Sequence, residues 1–479
     1  MSDFTYLWHD YETFGRVPKR DRPAQFAGIR TDAALNEIGE PLMLYCQPAP
    51  DFLPDPEACL LTGILPQTCL EQGVPEHQFA DAIEAALAEP GTIGVGYNTI
   101  RFDDEVTRFL LWRNLLDPYA REWQNECGRW DVLDVVRCAY ALRPEGIQWP
   151  THDDGRPSFK LEHLTAANGI SHAAAHDALS DVRATIALAR LLKTAQPKLF
   201  EFCLKLRKKD AVWAEIGIGK PFLHISGMFG PERGCIALVW PLAPHPTNKN
   251  ELIVWDLTAD PTELLTLNAD AIRARLFVKT DDLPEGVTRL PIKSIHVNKS
   301  PVVIGNLKTL SPAMADKWGL NLAQGLAHAA LLAQHGRLLD GLWGAVFKRD
   351  PLPPQDVDED LYGGFLSPDD RRALLRARGL TPEQLAQRAA DGKLNFADPR
   401  LDELVFRWRA RNFPASLSEP EQQRWLAHCA ARLHEGDGGA QTLTAFFDAI
   451  DTLNDAADER GQDILSALYD YAEQIAPSL

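Results

Sequence analysis

Hydrophobic residues recur with different periods along the chain, and the changes of period divide it. Tyr6-Leu7-Trp8 is an apolar run long enough for a buried strand and ends at Asp10 and Glu12; residues 37–47 predict a second strand and 92–97 a third. Over 178–193, Leu179, Val182, Ile186, Leu188, Leu191 and Leu192 stand at helical spacing, and Gln196-Pro197 marks a break. This alternation predicts an α/β domain with a central mixed sheet over residues 1–195. From about 210 to 345 short apolar runs at 222–225, 235–240, 252–257 and 287–292 are separated by Gly and Pro, with helices near 269–276 and 313–335. That spacing predicts a β-rich domain, a small barrel or strongly bent sheet, over 196–348. Over 351–479 the pattern turns helical, with cap signals at Ser367-Pro368 and Thr381-Pro382. No internal repeat or low-complexity tract interrupts this order.

The chain's 479 residues exceed what one core serves, and length alone suggests about three domains. No stretch approaches the roughly 18 apolar residues of a membrane span. The acidic start MSDFTYLWHDYE runs straight into a strand, so no cleavable export signal is expected. Eight cysteines without a C-x-x-C pair argue against a zinc site and against a disulfide framework, and predict reduced thiols in the cytoplasm. The net charge of −18 opposes binding of a polyanion unless basic residues are concentrated locally, since fields are screened beyond about 10 Å.

Candidate chemistry lies in four acidic residues and one histidine: Asp10 and Glu12 in HDYET, Asp103 in GYNTIRFDDEV, and His176 with Asp181 in HDALSD. Residues two apart on a strand face one side, so Asp10 and Glu12 can reach one ion. Asp181 falls on the first turns of the 178–193 helix, and His176, at or just ahead of its start, can lean over such a site without being a ligand. Each piece has a plainer reading: a D-x-E at a strand end suits a solvated turn, and Asp103, Asp104 and Glu105 suit the acidic first turn of a helix. Together, strand D-x-E, then N-x-x-x-F-D, then H-x-x-x-x-D form the arrangement of the DEDD exonucleases in their histidine-bearing branch.

GYNTIRFDDEVTRFLLWRNLLDPYA, RWDVLDVVRCAYALRPEGIQWP, SFKLEHLTAANGI and AHDALSDVRATIALARLLK resemble the bacterial exonuclease I family, as do HISGMFG, HVNKSPV, LYGGF and FRWRARNFP further on. The resemblance covers essentially the whole chain. It implies an RNase H-like exonuclease domain, an SH3-like domain and a helical C-terminal domain. The activity it implies is processive 3′-to-5′ hydrolysis of single-stranded DNA to 5′-mononucleotides in DNA repair and recombination. Two Mg²⁺ ions, replaceable by Mn²⁺, are expected, with Asp10 bridging both, Glu12 and Asp181 on the ion nearer the attacking water, Asp103 on the other through water, and His176 as general base.

The same resemblance places Arg108, Tyr119, Trp123, Arg137 and Lys160 at DNA-contacting positions, with Glu12 also facing substrate. Tyr119 and Trp123 are four apart, a spacing that suits stacking on bases or an ordinary core stripe. Lys160 stands where relatives carry arginine, which keeps a phosphate contact but loses the bidentate fork. Basic residues at 205 and 207–209 read as a solvated helix face, and Arg407, Arg409 and Arg411 around Trp408 as domain docking. The implied partner is the acidic C-terminal tail of single-stranded DNA-binding protein, met by Arg143, Phe202 and Lys220. Ser311 stands there in place of an expected arginine, with Lys308 as a substitute. A monomer with no membrane partner is expected. An RNA-trimming or proofreading exonuclease of the same branch conflicts with the residues beyond about 196. A silent single-strand-binding scaffold conflicts with all five reactive residues being present.

Overall fold

The computed structural model describes residues 4–172, 177–349 and 355–476. It divides into two compact units, one of Met1–Gly128, Ala173–Arg183 and Leu352–Leu479, the other of Arg129–His172 and Ala184–Pro351.

The first unit is built around β1 (Thr5–Thr13), which pairs antiparallel with β2 (Pro23–Thr31) and parallel with β4 (Thr92–Gly96), while β3 (Leu42–Tyr45) pairs with β2. Because β1 is central, both its edges are paired, and side chains pack on both its faces. Leu7 and Tyr11 pack with Phe26, Phe79, Ile83 and Leu110 on one face. Tyr6 and Trp8 lie on the other, where the Trp8 indole donates to Thr31 Oγ1 at 2.8 Å. The strand expected over 37–47 shrinks to Leu42–Tyr45, because Gly39 takes a positive φ of 72° and Pro41 precedes the paired residues. The sequence reading missed β2. Pro23 and Gly28 are poor strand formers, and here they are tolerated at the strand's first residue and at a position where a Cβ would press on Phe26 at 3.1 Å.

Helices of the C-terminal region complete this unit. Ser367 and Thr381 cap the helices Pro368–Arg378 and Pro382–Ala390, as expected from their sequence signals. Phe14, Phe52 and Cys69 share one core with Leu433, Phe446, Leu465 and Leu468, and Phe109 and Trp112 share another with Leu374, Leu404 and Trp408. Of the three arginines expected to dock domains, Arg411 reaches the N-terminal region, whereas Arg407 and Arg409 pair within the C-terminal region, Arg409 with Glu421. Arg411 pairs with the fully buried Asp51 at 2.7 Å and also with Asp358, and Arg407 pairs with Asp356 at 2.8 Å. Burial pushes the Asp51 carboxyl up, but Arg411, a hydrogen bond from His428 and Arg22 outweigh it and hold the group well below the usual range.

β5 (Gly128–Asp131) leads into the second unit, whose sheet has β6 (Phe222–Ile225), β7 (Ile236–Pro244), β8 (Glu251–Asp256), β9 (Ile292–His296) and β10 (Val302–Ile304) in the order β10-β6-β7-β8-β9, all antiparallel. The expected strand at 287–292 is displaced to β9, and β10 was not foreseen: three residues are too short to show a period. The single helix expected at 313–335 is two, Pro312–Lys317 and Leu322–His335. They are separated at Gly319, whose φ of +63° cannot continue a helix. All eight cysteines are free and buried. No helix among the described residues is long and apolar enough to cross a membrane.

Candidate active site

Strand alternation puts Asp10 and Glu12 on one face of β1, and the first turn of the Ala178–Ala195 helix brings Asp181 to them. Carboxylate oxygens of the three lie within 4.8 Å of one another. Two bonds seat that helix. Asp177 Oδ2 accepts from Ser180 N at 3.0 Å, and Ala178 N donates to Gln25 Oε1 of β2 at 3.3 Å. The fourth carboxylate, Asp103, opens the Asp103–Arg113 helix and is buried. Its Oδ1 accepts from the backbone N–H of Tyr11 at 3.1 Å, so the residue between the two strand ligands also anchors the third segment. Thr107, one turn along, donates to the Asp103 carbonyl at 2.8 Å and lies 3.0 Å from the Tyr11 hydroxyl. Gly96, at the end of β4, admits no side chain: a Cβ there would lie 2.7 Å from the His9 carbonyl. His176 lies outside the described residues.

Burial, followed by the charges of Asp103, Glu12 and Asp181, raises the Asp10 carboxyl well above its ordinary range. Burial and the charges of Asp181, Asp103 and Asp177 push Glu12 up to about 8. Such a cluster is favourable only when cations offset its repulsion, and a donor set made wholly of carboxylate oxygens suits hard divalent ions such as Mg²⁺ or Mn²⁺. A pH signature follows. A carboxyl that titrates near 8 is protonated at neutral pH, so ion binding must expel its proton. Apparent Mg²⁺ affinity should therefore rise by up to about tenfold per pH unit per proton released, from pH 6 toward 8, and then level off. Calorimetry in buffers of different ionisation enthalpy reads the proton count directly. Affinity independent of pH over that range would mean that the cluster is already ionised without metal.

Three family models match the chain: "Exonuclease" over residues 7–189, "Exonuclease I SH3-like domain" over 207–349 and "Exonuclease I C-terminal domain" over 355–475. The chain is 46% identical to exodeoxyribonuclease I of Escherichia coli over 476 residues, 98% of each protein. The chain belongs to the exonuclease I family. Among solved structures, E. coli exonuclease I in complex with a dA16 oligonucleotide superposes with a TM-score of 0.93 at 45% identity, covering 98% of this chain and 100% of that one. The zinc-bound form of the E. coli enzyme's complex with single-stranded DNA gives 0.92 at 44%, covering 99% and 100%. The fold of this exonuclease I is accordingly an N-terminal mixed α/β exonuclease domain, an SH3-like domain and a helical C-terminal domain.

Arg108 is buried and engaged: its Nε and Nη2 donate to the two oxygens of Glu122 at 2.7 and 3.0 Å, and Nη1 donates to Glu105 at 2.8 Å and to the Tyr362 hydroxyl at 3.0 Å. The buried pair Asp104–Arg121, at 2.7 Å, ties the same helix to the same loop. Sequence reading missed both staples, because the acidic first turn looked sufficient as a helix signal and nothing in it points to residues 121 and 122. Tyr119 and Trp123 do not share an α-helix; they flank the short turn Ala120–Glu122. Tyr119 is half-buried beneath the Arg108 guanidinium, at 5.4 Å from its ring centre, whereas Trp123 is 66% exposed and so cannot be core.

In the second unit, Arg137 is half-buried and donates to Asp134 at 2.7 Å, and the exposed Lys160 lies 3.4 Å from Glu162. Arg143 Nη1 donates to the Thr309 carbonyl at 3.2 Å, Phe202 is half-buried and Lys220 exposed. Ser311 has a structural task, capping the Pro312–Lys317 helix by accepting from Met314 N at 3.3 Å, while Lys308 stays exposed.

Proposed function

We propose that this exonuclease I removes nucleotides from the 3′ end of single-stranded DNA and releases 5′-mononucleotides. In this reading Asp10, Glu12, Asp103 and Asp181 hold two Mg²⁺ ions, for which Mn²⁺ can substitute. The convergence of three of these carboxylates within 4.8 Å, in a chain 46% identical to E. coli exodeoxyribonuclease I, carries the reading. The ions would stabilise charge growing on the attacking and leaving oxygens of the phosphodiester. The protein's own part is positional. Asp10 and Glu12 stand on a strand that cannot shift between its two neighbours, Asp181 is held by a capped helix, and His176 accepts the proton lost by the attacking water.

End-labelled oligonucleotides test this. Label should leave as a mononucleotide from an open 3′ end only when Mg²⁺ or Mn²⁺ is added, with duplex largely resistant. Adding excess unlabelled strand with the metal reports whether one encounter degrades a strand to its end. Release from a blocked 3′ end, or equal rates on duplex, overturns the reading.

Strand binding is assigned to Arg108, Arg137 and Lys160 for phosphates and to Tyr119 and Trp123 for bases, with Glu12 at the terminal nucleotide. Arg108 would have to exchange a carboxylate partner for phosphate, and so would Arg137 with Asp134, so the exposed Lys160 gives the cleanest test. Lys160→Ala or Arg137→Ala should weaken binding and make the dependence of log affinity on log salt shallower by about 0.7, the slope of one phosphate contact on a single strand. Trp123→Ala should weaken binding by about 1–3 kcal/mol with the slope almost unchanged. Intact affinity and slope in the basic variants would move the strand's path to other residues, such as the 205–209 run.

Arg143, Phe202 and Lys220, with Lys308 in place of an arginine at 311, are proposed to receive the acidic C-terminal tail of single-stranded DNA-binding protein. Eight free buried thiols support a cytoplasmic site of action, where thiols stay reduced. Domain limits at 1–195, 196–348 and 351–479 and a monomeric state complete the proposal.

A further inference from the structure

Tyr11 stands between the strand ligands Asp10 and Glu12 and turns its side chain to the opposite face of β1, where its ring packs with Phe26 and Phe79. Only 4% of it is exposed. A phenylalanine would fill that space without burying a hydroxyl, a group that is costly to take out of water unless it is hydrogen-bonded. Among the described residues the phenol has one partner, Thr107 Oγ1 at 3.0 Å, and Thr107 is itself fully buried. The threonine hydroxyl has a single proton, which the Asp103 carbonyl takes at 2.8 Å, so the phenol is the donor toward Thr107. Two routes therefore run from Tyr11 to Asp103: the backbone N–H reaches its Oδ1 at 3.1 Å, and the phenol reaches its carbonyl through Thr107.

We infer that Tyr11 and Thr107 are positioning residues, whose hydroxyls fix the Asp103 carboxylate relative to Asp10 and Glu12 and so set how the ion served by Asp103 is held. The inference rests on the metal-ligand reading above and gives a task to the face of β1 turned away from the metals. Asp103 is the ligand that most needs such a tie. The carboxylates within 4.8 Å of one another are those of Asp10, Glu12 and Asp181, so Asp103 serves the site from farther off. It is also the first residue of its helix, and helix ends fray. The buried Asp104–Arg121 pair secures the same turn to a loop, whereas the two hydroxyls secure it to the strand that bears Asp10 and Glu12.

Calorimetric titration of strand-free protein with Mn²⁺ tests the assignment without reference to turnover. Tyr11→Phe and Thr107→Val should each weaken Mn²⁺ binding by about 10- to 100-fold, the usual loss when a hydrogen-bond partner of a metal ligand is removed. Affinity for a single strand and the melting temperature of the metal-free protein should change little. Thr107→Ser, which keeps the hydroxyl, should bind Mn²⁺ as the parent does. In an Asp103→Ala background Tyr11→Phe should have no further effect, since both changes act through one ligand. Phe79→Leu loosens the packing around the same ring, and it should lower the melting temperature while leaving Mn²⁺ affinity intact. Parent-like Mn²⁺ binding in Tyr11→Phe overturns the inference. Equal weakening by Phe79→Leu, or an effect of Tyr11→Phe that persists without Asp103, overturns it too, since either would mean a general loosening of the core. Unaltered Mn²⁺ binding in Asp103→Ala alone would instead strike Asp103 from the ligand set, a failure of the function proposed above rather than of the hydroxyl chain.

Discussion

Asp10→Ala, Glu12→Ala, Asp103→Ala and Asp181→Ala are each expected to lower Mg²⁺-dependent turnover by on the order of 10²-fold or more, measured in single turnover with saturating strand and metal. Each ligand that is lost leaves an ion misplaced, and the ions carry several kcal/mol of stabilisation that develops only as the phosphodiester breaks. Fold should survive. Burial and mutual repulsion push the Asp10 and Glu12 carboxyls above their ordinary range, which makes their ionised forms costly in the fold, so removing either relieves the metal-free protein and should raise its melting temperature at pH 8. Asp103→Ala should gain less, because it also gives up the bond from the Tyr11 backbone. Opposite signs in activity and stability separate a site residue from a scaffold residue. Near-normal turnover in any of the four would remove that residue from the site.

His176→Ala should lose roughly 10²–10⁴-fold in turnover, with affinity for the strand little changed. An imidazole near its unperturbed pKa of about 6.5 can accept a proton at neutral pH, so the rate of the intact enzyme should climb as pH rises through that value. Measurement at saturating Mg²⁺ is essential, since ion affinity itself should climb toward pH 8. In the variant the limb near 6.5 should vanish. A normal rate with an unaltered profile would leave His176 as a structural residue beside Asp177.

The site was legible in the sequence where chemistry leaves a local mark. D-x-E at the end of an apolar run and an acidic residue on the first turn of an amphipathic helix survive as patterns because strand and helix periods are local. The structure brings Asp10, Glu12 and Asp181 together accordingly. What was not legible depends on partners far along the chain. β2 exists because β1 and β3 flank it, although Pro23 and Gly28 weaken its own pattern. Ser311 reads as a missing arginine in the sequence and turns out to be a helix cap. Trp123 was ambiguous between core and surface until the chain around it proved too short and irregular to bury it.

Joining both ends of the chain in one core has a consequence for how the enzyme is made. Gln67 donates to the Ala467 carbonyl across 400 residues, and Phe14 and Phe52 are enclosed by side chains from 433 onward. At roughly 5–20 residues per second of synthesis, the N-terminal segments wait on the order of tens of seconds for the helices that cover them. All five reactive residues have emerged by then, yet Phe14, just past the strand that bears two of them, and Phe52 still lack the side chains that enclose them. A ribosome that stops early therefore releases a chain with the full set of reactive residues and one core left open.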